Sequence, residues 1–388
     1  MRTSISFYLA VKEIWRSKGR FVAIGAVIAL ITLLVLFLAA LGEGLGNGNR
    51  EFLDKLNGEL ILFQEQANLS VSASQFGRSI MNDVLRMPDV SSAGAIGFSS
   101  VFVSMAGNNE LLSVSMLGVE PGRPGEPPAF EGRGLGGVRA NEVILDENAS
   151  VRLGLGVGDE LIVQSTQGTV DELFSLQIVG VSDGRQYFIQ PSIFVPLLTW
   201  DRIRPKAVAD NGQDELTFNI IAVKLVDPSD EVTAGQRIEE RLSTVKAVNR
   251  RTAYEAAPGY SAQQSTINTQ QGFTLLIGVL VVGGFFQIQT LQKVAQVGML
   301  KALGASNSVV YSAALLQIVV TNFFGVLLGS LATLGLAATF PPGIPIVFQG
   351  DQVVLALATL LLIGPLGGLL SLRILAKVEP LTALGLAS

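Results

Sequence analysis

The 388-residue sequence predicts a membrane α-helical fold with four transmembrane helices and a large mixed α+β extracytoplasmic domain between helices one and two. Three observations carry that expectation. Charged residues make up 15% of the chain, against about 25% in an ordinary soluble domain, a deficit that points to lipid contact. Four uncharged apolar runs are each long enough to cross a hydrocarbon layer of about 30 Å at about 1.5 Å per residue. Charge is also unevenly placed: residues 44–270 carry 18 Lys and Arg against 28 Asp and Glu, a net of −10, while the remainder carries 9 against 4, a net of +5. An acidic, solvated segment is set between helices with basic flanks.

The elements follow in chain order. Residues 1–20 read as a cytoplasmic, interfacial N-terminal helix, because Ile5, Leu9, Lys12 and Arg16 recur at helical spacing beside a basic flank. An ordinary basic topogenic flank would look the same. The first span is 21–42. A cleaved signal peptide is the rival reading, but the run is longer than an apolar signal core of about 7–15 residues, and three more spans follow. The second span is 272–291, the third lies within 309–340 and the fourth within 353–372, with Pro341, Pro342 and Pro345 turning the chain between the last two. Basic residues sit before the first span, at Lys293 and Lys301 after the second, and at Arg373 and Lys377 after the fourth, whereas 341–351 has none. By the positive-inside rule both termini and the central loop are cytoplasmic and the large domain is outside.

The outer domain is expected at 43–270. Gly42, Gly44, Gly46 and Gly48 predict a break after the first span and a flexible or turned stalk. A lobe spans about 51–120 plus 215–252, with strands at 59–63, 90–96, 101–105, 111–119, 216–226 and 245–249 and helices at 75–87 and 229–242. A β-rich insert occupies about 138–213 behind a Pro/Gly-rich linker at 121–137, and a polar helix at 254–271 feeds the second span. Gly132 to Gly137 satisfies G-x-G-x-x-G, but a Pro-rich linker precedes it and a strand follows, so it reads as a loop. No Walker A sequence is present, and the chain has no ATP site of its own. Cysteine and histidine are both absent, which excludes disulfides, Cys/His zinc sites, thiol nucleophiles and a Ser-His-Asp triad. No catalytic or metal site is expected, and no basic stripe suggests nucleic acid.

The central cytoplasmic loop is the most informative segment. Residues 292–306 combine helix formers, an apolar face, Gly304 where a C-cap would sit and Ser306 where the third span would start. A short helix of this kind projecting from the membrane is a docking point for a soluble partner. Gly325-x-x-x-Gly329 and Gly364-x-x-x-Gly368 predict close helix packing, and Pro365 predicts a kink in span four. The intramembrane polar residues Thr32, Gln287, Gln289, Gln317 and Asn322 are uncharged and offer no proton relay. Glu43 is the only carboxylate near the outer boundary of the first span. It is a candidate contact for cargo, against the plainer reading of a solvated helix-end acid.

The stretch Lys293 to Ser306 resembles the "REIGILKALGAS" signature of FtsX-like ABC permeases, the MacB or type VII class. The Ser17-Lys18-Gly19-Arg20-Phe21 entry, the single long outer domain and the tail pattern R-x-L-x-x-x-x-P-L-x-A-L from Arg373 agree with it. The resemblance implies a permease without its own ATP site, in the bacterial inner membrane. It would act as a homodimer with a separate ABC ATPase that holds ATP-Mg, and it would export or extract an amphipathic substrate by mechanotransmission. Lys293, Gln296, Val297, Met299, Leu300, Lys301 and Leu303 would be the ATPase-coupling residues. Gln296 departs from the signature's usual acidic residue, and Gln317 stands where a Glu is common. Coupling would then rest on apolar packing of Met299 and Leu300. The entry to span one is also similar to haem-exporting permeases, in which case Glu43 and Tyr260 are the conceivable iron contacts. An extracytoplasmic adaptor is a further expected partner. The alternative within the family is an FtsX-like relay that regulates an outer enzyme and moves nothing; a secondary transporter would want inverted repeats and membrane carboxylates.

Overall fold

The computed structural model describes residues 12, 15–105, 111–207, 216–257, 259–292, 294–303, 306–340, 346–348 and 350–376. Of the interfacial helix expected at 1–20, only Lys12 and residues 15–20 are among them; the turn at Pro341, Pro342 and Pro345 and the tail beyond Ala376 lie outside. The chain divides into two compact units, Leu45–Gln264 and the remainder.

Helix α1 (Lys18–Asp54) is 37 residues long and does not stop at its glycines. The expected stalk break at Gly42, Gly44, Gly46 and Gly48 is therefore corrected. A glycine costs a helix about 1 kcal/mol relative to alanine, and here close packing outweighs that cost. A Cβ on Gly42 would lie 2.7 Å from Ile267 Cγ2, and one on Gly48 would lie 3.2 Å from the Ile189 Cα. These glycines admit neighbouring chain to the helix surface.

The outer unit runs β1 (Leu60–Gln64), β2 (Phe76–Gly77), α2 (Arg78–Leu85), β3 (Val90–Met105), β4 (Leu112–Val119), β5 (Glu131–Gly132), β6 (Glu142–Asp146), α3 (Glu147–Leu153), β7 (Glu160–Gln167), β8 (Val170–Ser182), β9 (Ser192–Pro196) and α4 (Leu197–Ile203). It continues through β10 (Thr217–Phe218), β11 (Ile220–Leu225), α5 (Glu231–Arg241), β12 (Val245–Asn249) and α6 (Arg250–Glu255). The main sheet has the order β12-β1-β11-β3-β4-β9-β6-β8-β5, with β7 paired to β3 and β8. Period-two alternation fills both faces: Leu60, Leu62, Val143, Leu145, Ile193 and Val195 enter one core, and Ile61, Phe63, Ile144 and Phe194 enter the other. The sheet is mixed, with β4–β9 and β6–β8 parallel, and a sheet buried on both sides needs such continuous apolar strands.

Two strands expected at 90–96 and 101–105 are one strand, β3. It stays extended across Gly97 because it changes partner there: one edge pairs with β11 over Val90–Ile96 and with β7 over Phe102–Met105, while the other pairs with β4 from Ile96 to Val103. The strands expected in the lobe and in the insert thus share one hydrogen-bonded sheet. Gly97 pairs with Gly118 on β4, and the two face the ring of Trp200, which is 2% exposed. A Cβ on either glycine would come within 2.5 Å of that ring or its Cβ. Trp200 Nε1 donates to Ser99 Oγ at 3.0 Å, so the buried indole is satisfied.

Asp146 ends β6 and caps α3, accepting from Ala149 N at 2.6 Å. It is fully buried, and burial pushes its carboxyl up to about 6 against the capping bond. A carboxyl raised above its unfolded value contributes stability that is complete below about pH 4 and is lost as pH rises through about 6. Between pH 4.5 and 7 this one group withdraws about 2 kcal/mol from the outer unit. Asp146→Asn keeps an oxygen for the Ala149 amide and abolishes the titration. The wild-type-minus-variant difference in urea unfolding of residues 45–264 is therefore expected to shift by that amount across the window; a flat difference contradicts the assignment. Taking the difference cancels carboxylates that titrate the other way, such as Glu142, held low by its hydrogen bonds from Arg133.

The remaining unit holds α1 up to Gly44, most of α7 (Tyr260–Gln292), α8 (Val294–Ala302), α9 (Asn307–Ala337) and α10 (Gly350–Ala376). The single polar helix expected at 254–271 is instead two pieces, because Gly259 at φ +83° separates α6 from α7. Among the described residues three helices are long and apolar enough to cross a membrane: Lys18–Gly48, Tyr260–Gln292 and Asn307–Ala337. In α10 the described apolar stretch, Val353–Gly367, is shorter.

Small residues set the spacing of these helices. A Cβ on Gly325 would meet Ile28 Cβ at 2.7 Å, one on Gly329 would meet the Ala29 carbonyl at 2.5 Å, and one on Gly364 would meet Asn322 Cγ at 2.6 Å. The packing of Gly368 lies outside the described residues. A further close approach had no motif to announce it: a Cβ on Gly367 would lie 2.9 Å from the Gly283 Cα. Asn322, 1% exposed, has a role the sequence reading missed. Pro365 lacks an N–H, so the Leu361 carbonyl one turn earlier has no helical donor. Asn322 Nδ2 supplies one from α9, at 2.9 Å to Leu361 O and 3.2 Å to Leu360 O. Asn322→Ala is expected to cost about 1 kcal/mol in detergent unfolding, as hydrogen bonds between membrane helices do. In a Pro365→Ala background the cost should vanish, because the restored amide satisfies Leu361.

Candidate coupling site

Helix α8 joins the end of α7 to Ser306, the residue that begins α9. Ser306 takes the extended N-cap conformation at φ −68°, ψ 148°, although its side chain makes no capping bond. Val297 and Gly298 are the buried residues of α8, and Val297 packs on Val310 with Tyr311 and Ala314 beside it. That contact fixes which way the helix faces. Met299 is 56% exposed, Leu300 38% and Leu303 80%, the last continuing the helical turn through Leu303 N to Met299 O at 3.0 Å. Gln296 is exposed and Lys301 half-buried, while Lys293 and Gly304 lie outside the described residues. The result is an anchored helix with an apolar outer face and a polar edge, which is how an interaction surface differs from scattered exposed leucines. Nearby, Arg20 Nη1 donates to Gln292 Oε1 at 3.0 Å, tying the entry of α1 to the residue before this loop.

Residues 21–241 match the family described as MacB-like periplasmic core domain, and residues 272–380 match the FtsX-like permease C-terminal family. The chain belongs to the FtsX-like, MacB-type ABC transporter permeases. Among relatives, the permease is 24% identical over 379 residues to a Staphylococcus haemolyticus protein named as a hemin transport system permease, HrtB, covering 97% of this chain and 99% of that one. It is 28% identical over 172 residues to the macrolide export ATP-binding/permease protein MacB of Agrobacterium fabrum, covering 41% of this chain and 26% of that one. The periplasmic region of MacB from Actinobacillus actinomycetemcomitans overlaps 50% of this chain and 90% of that one at 13% identity and a TM-score of 0.36, an overlap on which the family assignment does not rest.

In the permease, Glu43 is neither at a helix end nor solvated. It lies eleven residues before the end of α1 and is 9% exposed, which corrects the reading of a solvated helix-end acid. Tyr260 begins α7, is half-buried and stacks edge-on to Tyr254 with ring centroids 5.8 Å apart. Gln317 is buried within α9 at 5% exposure. Gly132–Gly137 runs from β5 into the loop before β6, where Arg133 pairs with Glu142 at 2.6 Å and Glu142 also accepts from Gly136 N at 2.8 Å. Two amides of the loop, Leu135 N and Gly136 N, are thus satisfied by protein carboxylates, Glu126 and Glu142. Among the described residues no group of three or more acidic side chains is arranged to hold a metal ion.

Proposed function

We propose that this permease couples ATP hydrolysis by a separate ABC ATPase to export or extraction of an amphipathic molecule, and that α8 is where the ATPase docks. The observation that carries this reading is the division of α8 into a buried anchor, Val297, and an exposed apolar face of Met299, Leu300 and Leu303. A helix of this kind fits an apolar groove on its partner, and apolar anchors supply most of the binding energy in that mode. In this reading α10 is a fourth span, both termini and α8 are cytoplasmic, and two copies of the chain work together in the inner membrane. Helix α1, one helix from Lys18 to Asp54, then serves as the transmitter.

Hemin is the first substrate to test, since the relative matched over nearly all of its length is named for hemin transport. With no His or Cys in the chain, an iron contact would fall to Glu, Tyr or Met, and Glu43 and Tyr260 are the first substitutions to make. Affinity purification of the tagged permease from its native membrane should bring down a Walker-motif ATPase, and restoring both genes to a deletion strain should restore hemin tolerance. Recovery without an ATPase would remove the coupling claim. An unaltered hemin tolerance in the deletion strain would remove hemin and leave other amphipathic cargo. Capture of a wall hydrolase instead, with no cargo moved, would favour the regulatory relay.

A further inference from the structure

The last two turns of α1 are held by a segment of the outer unit that no motif announced. Residues 183–190 join β8 to β9 and reach into the helix backbone. In an α-helix the amide of Phe52 and the carbonyl of Gly48, four residues apart, would serve each other. Here Phe52 N donates to Gln186 O at 3.1 Å, and Gly48 O accepts from Ile189 N at 2.9 Å. A glycine favours the approach, because the Ile189 Cα sits 3.2 Å from where a Gly48 Cβ would be, and any side chain there would push it back by a few tenths of an ångström. To make it, Phe188 and Ile189 take positive φ of 54° and 59°, a conformation that a β-branched residue adopts only under constraint.

Side chains complete the grip. Arg185, its side chain 8% exposed, donates from Nη1 to the Lys55 carbonyl at 2.6 Å and from Nε to Asp183 Oδ1 at 2.7 Å. Lys55 Nζ reaches Glu51 at 2.8 Å and Asp183 at 3.2 Å, and Glu51 accepts from Gln186 N at 3.3 Å. An arginine on the final carbonyls of a helix meets both the unsatisfied acceptors and the negative end of the dipole. On its other side the segment is tied to the sheet: Ser115 of β4 donates from Oγ to Tyr187 O and from N to Pro191 O, both at 2.9 Å. Phe52, fully buried, packs edge-on to Tyr187 at 5.7 Å.

We propose that residues 183–190 are a strap that stays closed through the transport cycle, with Arg185 as its positioning residue, so that displacement of α1 is delivered to β4 and β8. This rests on the permease being a mechanical transmitter. A strained segment with hydrogen bonds to a helix on one side and a sheet on the other has little freedom to absorb motion, which is what a joint between two rigid elements requires. The same strain explains why the strap needs Arg185: the positive φ at Ile189 persists only while its surroundings over-determine it.

The test uses the full-length permease with its co-purified ATPase in lipid nanodiscs, read by hydrogen–deuterium exchange with and without ATP and vanadate. The amides of Phe52 and Ile189 should exchange as slowly as those of β3 and β4 in both states. Arg185→Ala should raise exchange at both amides about tenfold or more, leave ATP hydrolysis within about twofold of wild type, and reduce hemin export to background, a split that a general folding defect would not produce. Arg185→Lys should recover part of the export. Loop-like exchange at Phe52 or Ile189 in either nucleotide state, or normal export by Arg185→Ala, overturns the strap. If the wild-type complex hydrolyses ATP and exports no hemin, the hemin reading fails, and the two amides still decide whether the joint is closed.

Discussion

Replacing Met299 and Leu300 together by glutamate should release the ATPase from the permease while leaving the permease folded. Both side chains are exposed on α8, 56% and 38%, so the substitution buries no charge in the permease itself. At a docked interface the same two charges would be desolvated against an apolar groove. Central apolar anchors of this kind cost about 2 kcal/mol or more each when lost, so the pair should weaken association by about a thousandfold. Titration of purified ATPase against permease in nanodiscs measures it, with ATP turnover of the assembled complex as a second readout. Unchanged affinity would mean that α8 is only a connector. Val297→Glu is the contrasting variant: it disrupts the contact with Val310 and should lower thermal stability of the helical unit, which the Met299/Leu300 pair should not.

Trp200→Ala should be the most destabilising single truncation in the outer unit, at about 3–5 kcal/mol. The indole fills a slot made by two glycines that face each other across β3 and β4, and the surrounding strands cannot collapse into the space without breaking their register. Gly97→Ala should itself cost about 1–3 kcal/mol, because its methyl would overlap the ring. In the Trp200→Ala background that cost should disappear or reverse, since the methyl enters the vacated volume. A double-mutant cycle by urea unfolding reads the coupling directly. Additive losses would show that the two glycines serve the backbone and not the ring.

Much of the membrane part was legible along the chain. Lipid selects on composition, so the charge deficit and the apolar runs locate α1, α7 and α9 without any tertiary information. The short helix α8 was legible too, because its signature is local: helix formers, an apolar face, and a serine where α9 begins. Most strand positions in the outer unit were readable from alternation and turn residues. Val245–Asn249 and Leu112–Val119 fall where the pattern places them.

What escaped was every feature whose cause lies on another part of the chain. Gly42 and Gly48 look like helix breakers because propensity is a local quantity, whereas the contacts that outweigh it come from Ile267 and Ile189. The two strands around Gly97 look separate because a glycine interrupts a strand pattern unless a distant side chain, here Trp200, fills the space beside it. Asn322 looks like an idle polar residue until Pro365 leaves a carbonyl for it to cap. Composition and periodicity settled the class of this protein, since solvent acts on each residue where it stands; the joints of the protein, from α9 to α10 and from α1 to the outer sheet, were decided only when folding brought distant backbone groups within hydrogen-bonding reach of one another.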